Sequence, residues 1–142
     1  MKRAVSALSF QIQNSIHKCG CDCYVYTGLD WIVQPDTVVR PDVMVVCGAQ
    51  PERHLETTPV MTIEILSEAT AEKDRHAKRE LYENNHVKHY LIADTAKKTV
   101  QWLELQEDGR YEDVSKRISN GEFSVALVDG CVIQFECKSA IG

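Results

Sequence analysis

The chain holds 142 residues, 44% of them hydrophobic and 26% charged, which suits one domain around one core. Sixteen basic against twenty-one acidic side chains give a formal charge of −5, which argues against the strongly basic surface that non-specific nucleic-acid binding relies on. A nucleic-acid substrate is then compatible only with bound cations or a local basic patch.

Met1-Lys2-Arg3 followed by Ala4 to Leu8 imitates a signal peptide, but Gln11, Gln13 and Asn14 interrupt the apolar region. No later run is long enough to cross a bilayer, so the expectation is a soluble, cytoplasmic protein with no membrane partner. Val5, Leu8, Ile12 and Ile16 recur every three or four residues, which predicts an amphipathic helix over 3–17 that Gly20 ends. The six cysteines (19, 21, 23, 47, 131 and 137) lack a secretory signal and are read as free thiols. Cys19, Cys21 and Cys23, with His17 nearby, invite a zinc reading, and on an extended segment the three thiols would share one face. Their C-x-C-x-C spacing is not the paired C-x-x-C of a convincing zinc site.

Tyr24-Val25-Tyr26 begins a strand and Trp31-Ile32-Val33 continues the extended pattern beyond Gly28. Pro35-Asp36 reads as a turn. Val38 to Val46 is strand-like, with Pro41 placing the start of the regular ladder after it. Val60 to Leu66 is a short β-rich run, the signature of a buried strand. A helix is predicted from about 71 to 85, with Glu72 and Asp74 in the first turn, where the helix dipole favours negative charge. Tyr90 to Ala93 reads as another buried strand, so strand, helix and strand suggest a parallel crossover. Val100 to Leu105 adds a strand, and Asp108-Gly109, Asn120-Gly121 and Asp129-Gly130 mark hairpin turns in a β-rich C-terminal third. The fold class is α/β (α+β), a mixed β-sheet with one helix on either face.

Period-two alternation puts Asp42, Met44 and Val46 on one strand face and Val60, Thr62, Glu64 and Leu66 on one face of another. If the two strands pair antiparallel with Asp42 opposite Glu64, Val46 opposes Val60 and 47–59 is the connection. The carboxylates then sit side by side at one sheet end, roughly 5 Å apart at Cβ. Such a pair is a hard-oxygen site suited to magnesium or manganese. Leu66 stands where many metal nucleases have lysine, so an amine must come from elsewhere. Asp74, Lys78, Leu81, Tyr82 and Asn85 form one stripe of the following helix, which turns Lys78 inward. Taken singly, each residue has a plain reading: Pro-Asp as a strand start, a strand-ending glutamate as solvated, and a helix lysine beside leucine as snorkelling.

From Thr37 to Leu105 the chain resembles the Uma2 family (DUF820) of the PD-(D/E)xK nuclease-like superfamily. The carrying segments are Thr37 to Asp42, Ile63 to Ser67 with Thr70, Asp74 to Tyr82, and Tyr90 to Asp94. The resemblance implies a restriction-endonuclease-like core in a single domain over 1–142. It also implies metal-dependent hydrolysis of DNA phosphodiester bonds. Asp42 and Glu64 would bind Mg2+ or Mn2+. Lys78 would replace the missing lysine, polarising the attacking water or steadying the phosphate. Asp74 would stabilise the helix start or orient Lys78, and Tyr82 would pack in the core with its hydroxyl hydrogen-bonded.

Relatives carry an upstream strand pair with an acidic residue, and a histidine at the start of the first helix; neither is found here. A catalytically inactive binding or interaction module is therefore the alternative function. Glu68 replaces a usual proline, His89 a usual acidic residue, and His86 the glycine that typically ends the helix, which implies a tighter or strained turn. His86 and His89 are read as a solvated loop and strand edge. An apolar β edge on a small core adds the expectation of a homodimer.

Overall fold

The helical spacing of the first segment is realised as α1 (Lys2–Cys19) in the computed structural model, which describes residues 2–66, 72–128 and 130–137. Ala4, Leu8, Ile12 and Ile16 are its buried stripe. Gly20, at φ +70°, ends it, as the Cys21 amide donates to the Ile16 carbonyl and the Gly20 amide to that of His17. This is the paired capping pattern of a Schellman motif.

The strands that follow are β1 (Cys23–Tyr26), β2 (Trp31–Gln34), β3 (Thr37–Val39), β4 (Val43–Cys47) and β5 (Met61–Leu66). Helix α2 (Glu72–Asn84) comes next. Then come β6 (His89–Asp94), β7 (Thr99–Leu105), β8 (Tyr111–Asp113), a 3-10 turn (Ser115–Arg117), β9 (Glu122–Val128) and β10 (Cys131–Glu136). A six-stranded sheet runs in the order β1-β4-β5-β6-β7-β8. Strands β5 and β6 are parallel because α2 carries the chain back between them, and the other neighbours are antiparallel. The extended stretch across 38–46 divides at Pro41, which has no N–H for a ladder. Before it, β3 pairs with β2 around Pro35-Asp36; after it, β4 enters the large sheet.

Alternation sorts this sheet into two buried faces. Val43, Val45, Ile63, Leu91, Ala93 and Trp102 meet α1 and the β9–β10 hairpin. Met44, Val46, Tyr90, Ile92 and Leu103 face the other way, toward Tyr82 of α2 and Trp31 of β2. One helix thus covers each face, and the protein is a mixed α+β fold. Strict alternation along β9 buries Phe123, Val125 and Leu127. Phe123 stacks on Phe135 of β10 with ring centroids 4.9 Å apart, and each such ring contributes roughly 1.5–3 kcal/mol by burial.

The polar residues that break up the apolar N-terminus have a structural use. Gln13 Oε1 accepts the Val25 amide of β1, while Gln11 bonds both the amide and the carbonyl of Glu136 in β10. These side chains satisfy backbone groups at strand edges that would otherwise face solvent unpaired. No helix among the described residues is long and apolar enough to cross a membrane.

Two expectations are corrected. Cys23 and Cys47 are cross-strand partners with Cα atoms 4.0 Å apart and form a disulfide; Cys21 bonds Cys131. Free thiols remain at Cys19 and Cys137 among the described residues. The partners lie 24 and 110 positions apart in the chain, so local spacing carried no sign of them. Cys19 ends a helix, and Cys21 and Cys23 bond different partners, so the shared thiol face of the zinc reading does not form.

His89 is the second correction, since it is fully buried on the α1 face. Trp102 Nε1–H donates to its Nδ1 at 3.1 Å, which leaves the proton on Nε2, 2.8 Å from the Ala126 carbonyl that accepts it. His86 does lie exposed at the end of α2, at φ +62°, where the Val87 amide reaches the Tyr82 carbonyl.

The left-handed conformation at His86 disfavours a side chain with Cβ, so His86→Gly raises stability by about 1 kcal/mol in urea denaturation. Burial pushes the His89 imidazole down to about 4 from its ordinary 6.5. The unfolded imidazole gains its proton first as pH falls, so stability drops through that window by about 3 kcal/mol. His89→Gln flattens this part of the pH profile, read as urea midpoints between neutral pH and about pH 4.

Candidate active site

The pairing of β4 with β5 positions the two acids. Val43 opposes Ile63, Met44 opposes Thr62 and Val45 opposes Met61, the register that sets Asp42 beside Glu64. The ladder stops at Val43, and the Asp42 side chain takes over as backbone partner: its Oδ2 accepts the Ile65 amide at 2.7 Å. Asp42 Oδ1 bonds no group among the described residues.

Glu64 is 5% exposed, buried beneath α2. The Tyr82 hydroxyl donates to Oε2 at 2.8 Å, and Lys78 Nζ stands 3.3 Å from Oε1. Lys78 and Tyr82 reach the same carboxylate because positions four apart share a helix face. Burial raises the Glu64 pKa above the ordinary carboxylate range; Lys78 and the Tyr82 hydroxyl pull it down, and the neighbouring charge of Asp42 pushes it up again. Tyr82 is driven far above the usual phenol range by burial and by Glu64, so its proton stays on the hydroxyl. Lys78 is 28% exposed at its side chain, with its charge at the mouth of the site.

Two carboxylates at one strand end suit a hard cation. Mg2+ commonly takes one or two protein carboxylates and keeps several waters, and the open Asp42 Oδ1 fits that donor set. Among the described residues, no group of three or more His, Cys, Asp or Glu side chains stands ready to hold a metal. Water or substrate oxygens would have to complete the coordination.

The Uma2 family, described as "Putative restriction endonuclease", matches residues 2–134. The chain belongs to the Uma2 family. Its fold is similar to the crystal structure of "a putative nuclease belonging to DUF820" from Anabaena variabilis ATCC 29413. That likeness has a TM-score of 0.72 at 15% identity and covers 99% of this chain and 79% of the other. No curated protein matches the chain.

Of the residues singled out in the sequence, Asp42, Glu64, Lys78 and Tyr82 meet within this Uma2 domain. The side chain of Asp74 lies outside the described residues, as do Ser67, Glu68 and Thr70. Sequence reasoning missed the Ile65 amide that anchors Asp42. It also missed Arg75 and Gln101, which bond each other at 3.1 Å beside the site. Arg75 could have been found from its place three residues before Lys78. Gln101 gave no signal, because only the sheet order brings β7 to this level.

The Tyr82 hydroxyl is the single neutral donor on a buried carboxylate among the described residues. Tyr82→Phe lowers unfolding free energy by roughly 1–3 kcal/mol in urea denaturation, with the far-ultraviolet circular dichroism of the native state retained.

Proposed function

We propose that this Uma2 protein is a metal-dependent endonuclease acting on DNA phosphodiester bonds. In this reading Asp42 and Glu64 hold Mg2+ or Mn2+, and Lys78 assists the attacking water or the phosphate. The observation that carries it is the convergence of a facing acid pair with an ammonium 3.3 Å from Glu64 Oε1. The family's description, "Putative restriction endonuclease", supports the same class of reaction.

A divalent ion bound here would polarise a phosphoryl oxygen and lower the pKa of water. The remaining work falls to the chain itself. Tyr82 holds one oxygen of Glu64 and the Ile65 amide holds one of Asp42, so both carboxylates keep a fixed orientation before substrate arrives. The Lys78 ammonium, in a partly desolvated position, stabilises negative charge as it builds on the phosphoryl oxygens. The buried sheet behind Glu64 keeps the local dielectric low, which strengthens that effect.

One observation favours the second reading, a nuclease-fold binding module without catalysis. Both oxygens of Glu64 already receive a donor from the chain, which offsets part of the cost of its burial without metal.

Plasmid nicking in Mg2+ or Mn2+ tests the first reading. Wild type nicks, and Asp42→Ala, Glu64→Ala and Lys78→Ala each lose roughly a hundredfold or more, the scale of one electrostatic group in a transition state. A contaminating nuclease shows equally in all four preparations. Calorimetry with Mn2+ complements this: binding to wild type that vanishes in Asp42→Ala supports the nuclease. No binding even at high metal concentration favours the module.

A further inference from the structure

The face of α2 that carries Lys78 and Tyr82 onto Glu64 also carries Arg75, three positions before Lys78 and seven before Tyr82. Arg75 is half-buried, and its Nη2 donates to Gln101 Oε1 at 3.1 Å. The amide nitrogen of Gln101 donates in turn to Asp113 Oδ2 at 3.0 Å. That second bond fixes which end of the amide faces the arginine. The Asp113 carboxylate is itself held, with Oδ1 accepting the Ser115 amide at 2.9 Å.

This relay orients the guanidinium without neutralising it. A structural arginine is ordinarily matched to a carboxylate, whereas the partner here is an uncharged amide. Among the described residues Arg75 makes no ion pair. Its place in the sheet follows from register. Glu64 of β5 opposes Ile92 of β6, which opposes Gln101 of β7. Gln101 is therefore level with Glu64 on the same face, two strands away, or roughly 10 Å at the backbone. One cation stands on Glu64 and a second over Gln101. Phosphates of one DNA strand rise about 3.4 Å each along the axis but also wind round it, so neighbours lie farther apart than the rise, and that separation reaches a phosphate one or two nucleotides away.

We propose that Arg75 binds a DNA backbone phosphate one or two nucleotides from the one at Lys78, with Gln101 and Asp113 as its positioning residues. A guanidinium presents paired N–H donors that match phosphate oxygens. The assignment of the second phosphate as the one being cut rests on the nuclease reading above; the binding of DNA by Arg75 does not. It also supplies a local cation that the overall charge of −5 conceals.

The test is fluorescence anisotropy of a short labelled DNA duplex with the full chain in Ca2+, across a series of salt concentrations. Arg75→Gln weakens binding by about tenfold, and the slope of log affinity against log salt becomes shallower by about one. Arg75→Lys keeps the slope and loses part of the affinity, while Gln101→Ala loses affinity with the charge intact. Thermal midpoints show whether the variants stay folded, and if Arg75→Gln does not, the other two decide. Wild-type affinity and slope in the variants overturns the proposal, as does a wild type that binds no duplex. Arg75-dependent binding without any nicking supports this inference and removes the catalytic reading alone.

Discussion

The burial of Glu64 is the constraint around which the site is arranged. A carboxylate taken out of water is costly unless it is paired and hydrogen-bonded, and here both partners come from α2. The helix is therefore tied to the sheet by one acid, with Tyr82 deep and Lys78 at the rim. Tyr82 also stacks near Trp31 and meets Tyr90 edge-on, with centroids 6.0 and 4.9 Å away. The same ring that orients the carboxylate belongs to the core of that face.

The opposite face does the stabilising without chemistry. Helix α1 and the β9–β10 hairpin cover it with apolar side chains, and a neutral, fully satisfied histidine sits among them. The Cys21–Cys131 disulfide joins the end of α1 to that hairpin, which shares no ladder with the large sheet. Side-chain bonds from Gln11 and Ser15 to β10 serve the same joint. The result is a sheet whose one face is devoted to packing and whose other face carries Glu64 and Gln101 at one level, on either side of the buried Ile92.

If the proposed reading holds, that level of the sheet is where an acidic protein would meet an anionic substrate. Lys78 and Arg75 are presented from one helix face over one end of the sheet, each oriented by a neighbour. Local field at a partly buried site matters more than net charge summed over a solvated surface, which salt screens within about 8 Å.

Much of this was legible in the residues. The helical period of Ala4, Leu8, Ile12 and Ile16, the alternation in β4 and β5, and the turn residues at Pro35-Asp36 and Asn120-Gly121 are local signals, set by backbone geometry that neighbouring positions share. So was the register that brings Asp42 to Glu64, because a one-residue slip would have turned Val43 and Val45 out of the core. The segments shared with Uma2 relatives pointed to the same trio.

Other features had no local trace. Two disulfides, the buried His89 with its Trp102 and Ala126 partners, the Ile65 amide on Asp42 and the Gln101–Asp113 relay all join residues on different elements. Their contacts depend on strand order and on which loops pass over which face. By itself the sequence determined periods, faces and the identity of the acid pair, since these depend on spacing along a single element. Which cysteines bond, which histidine is dry and which cation stands over which strand were decided by the tertiary structure, because proximity between distant segments is a property of packing.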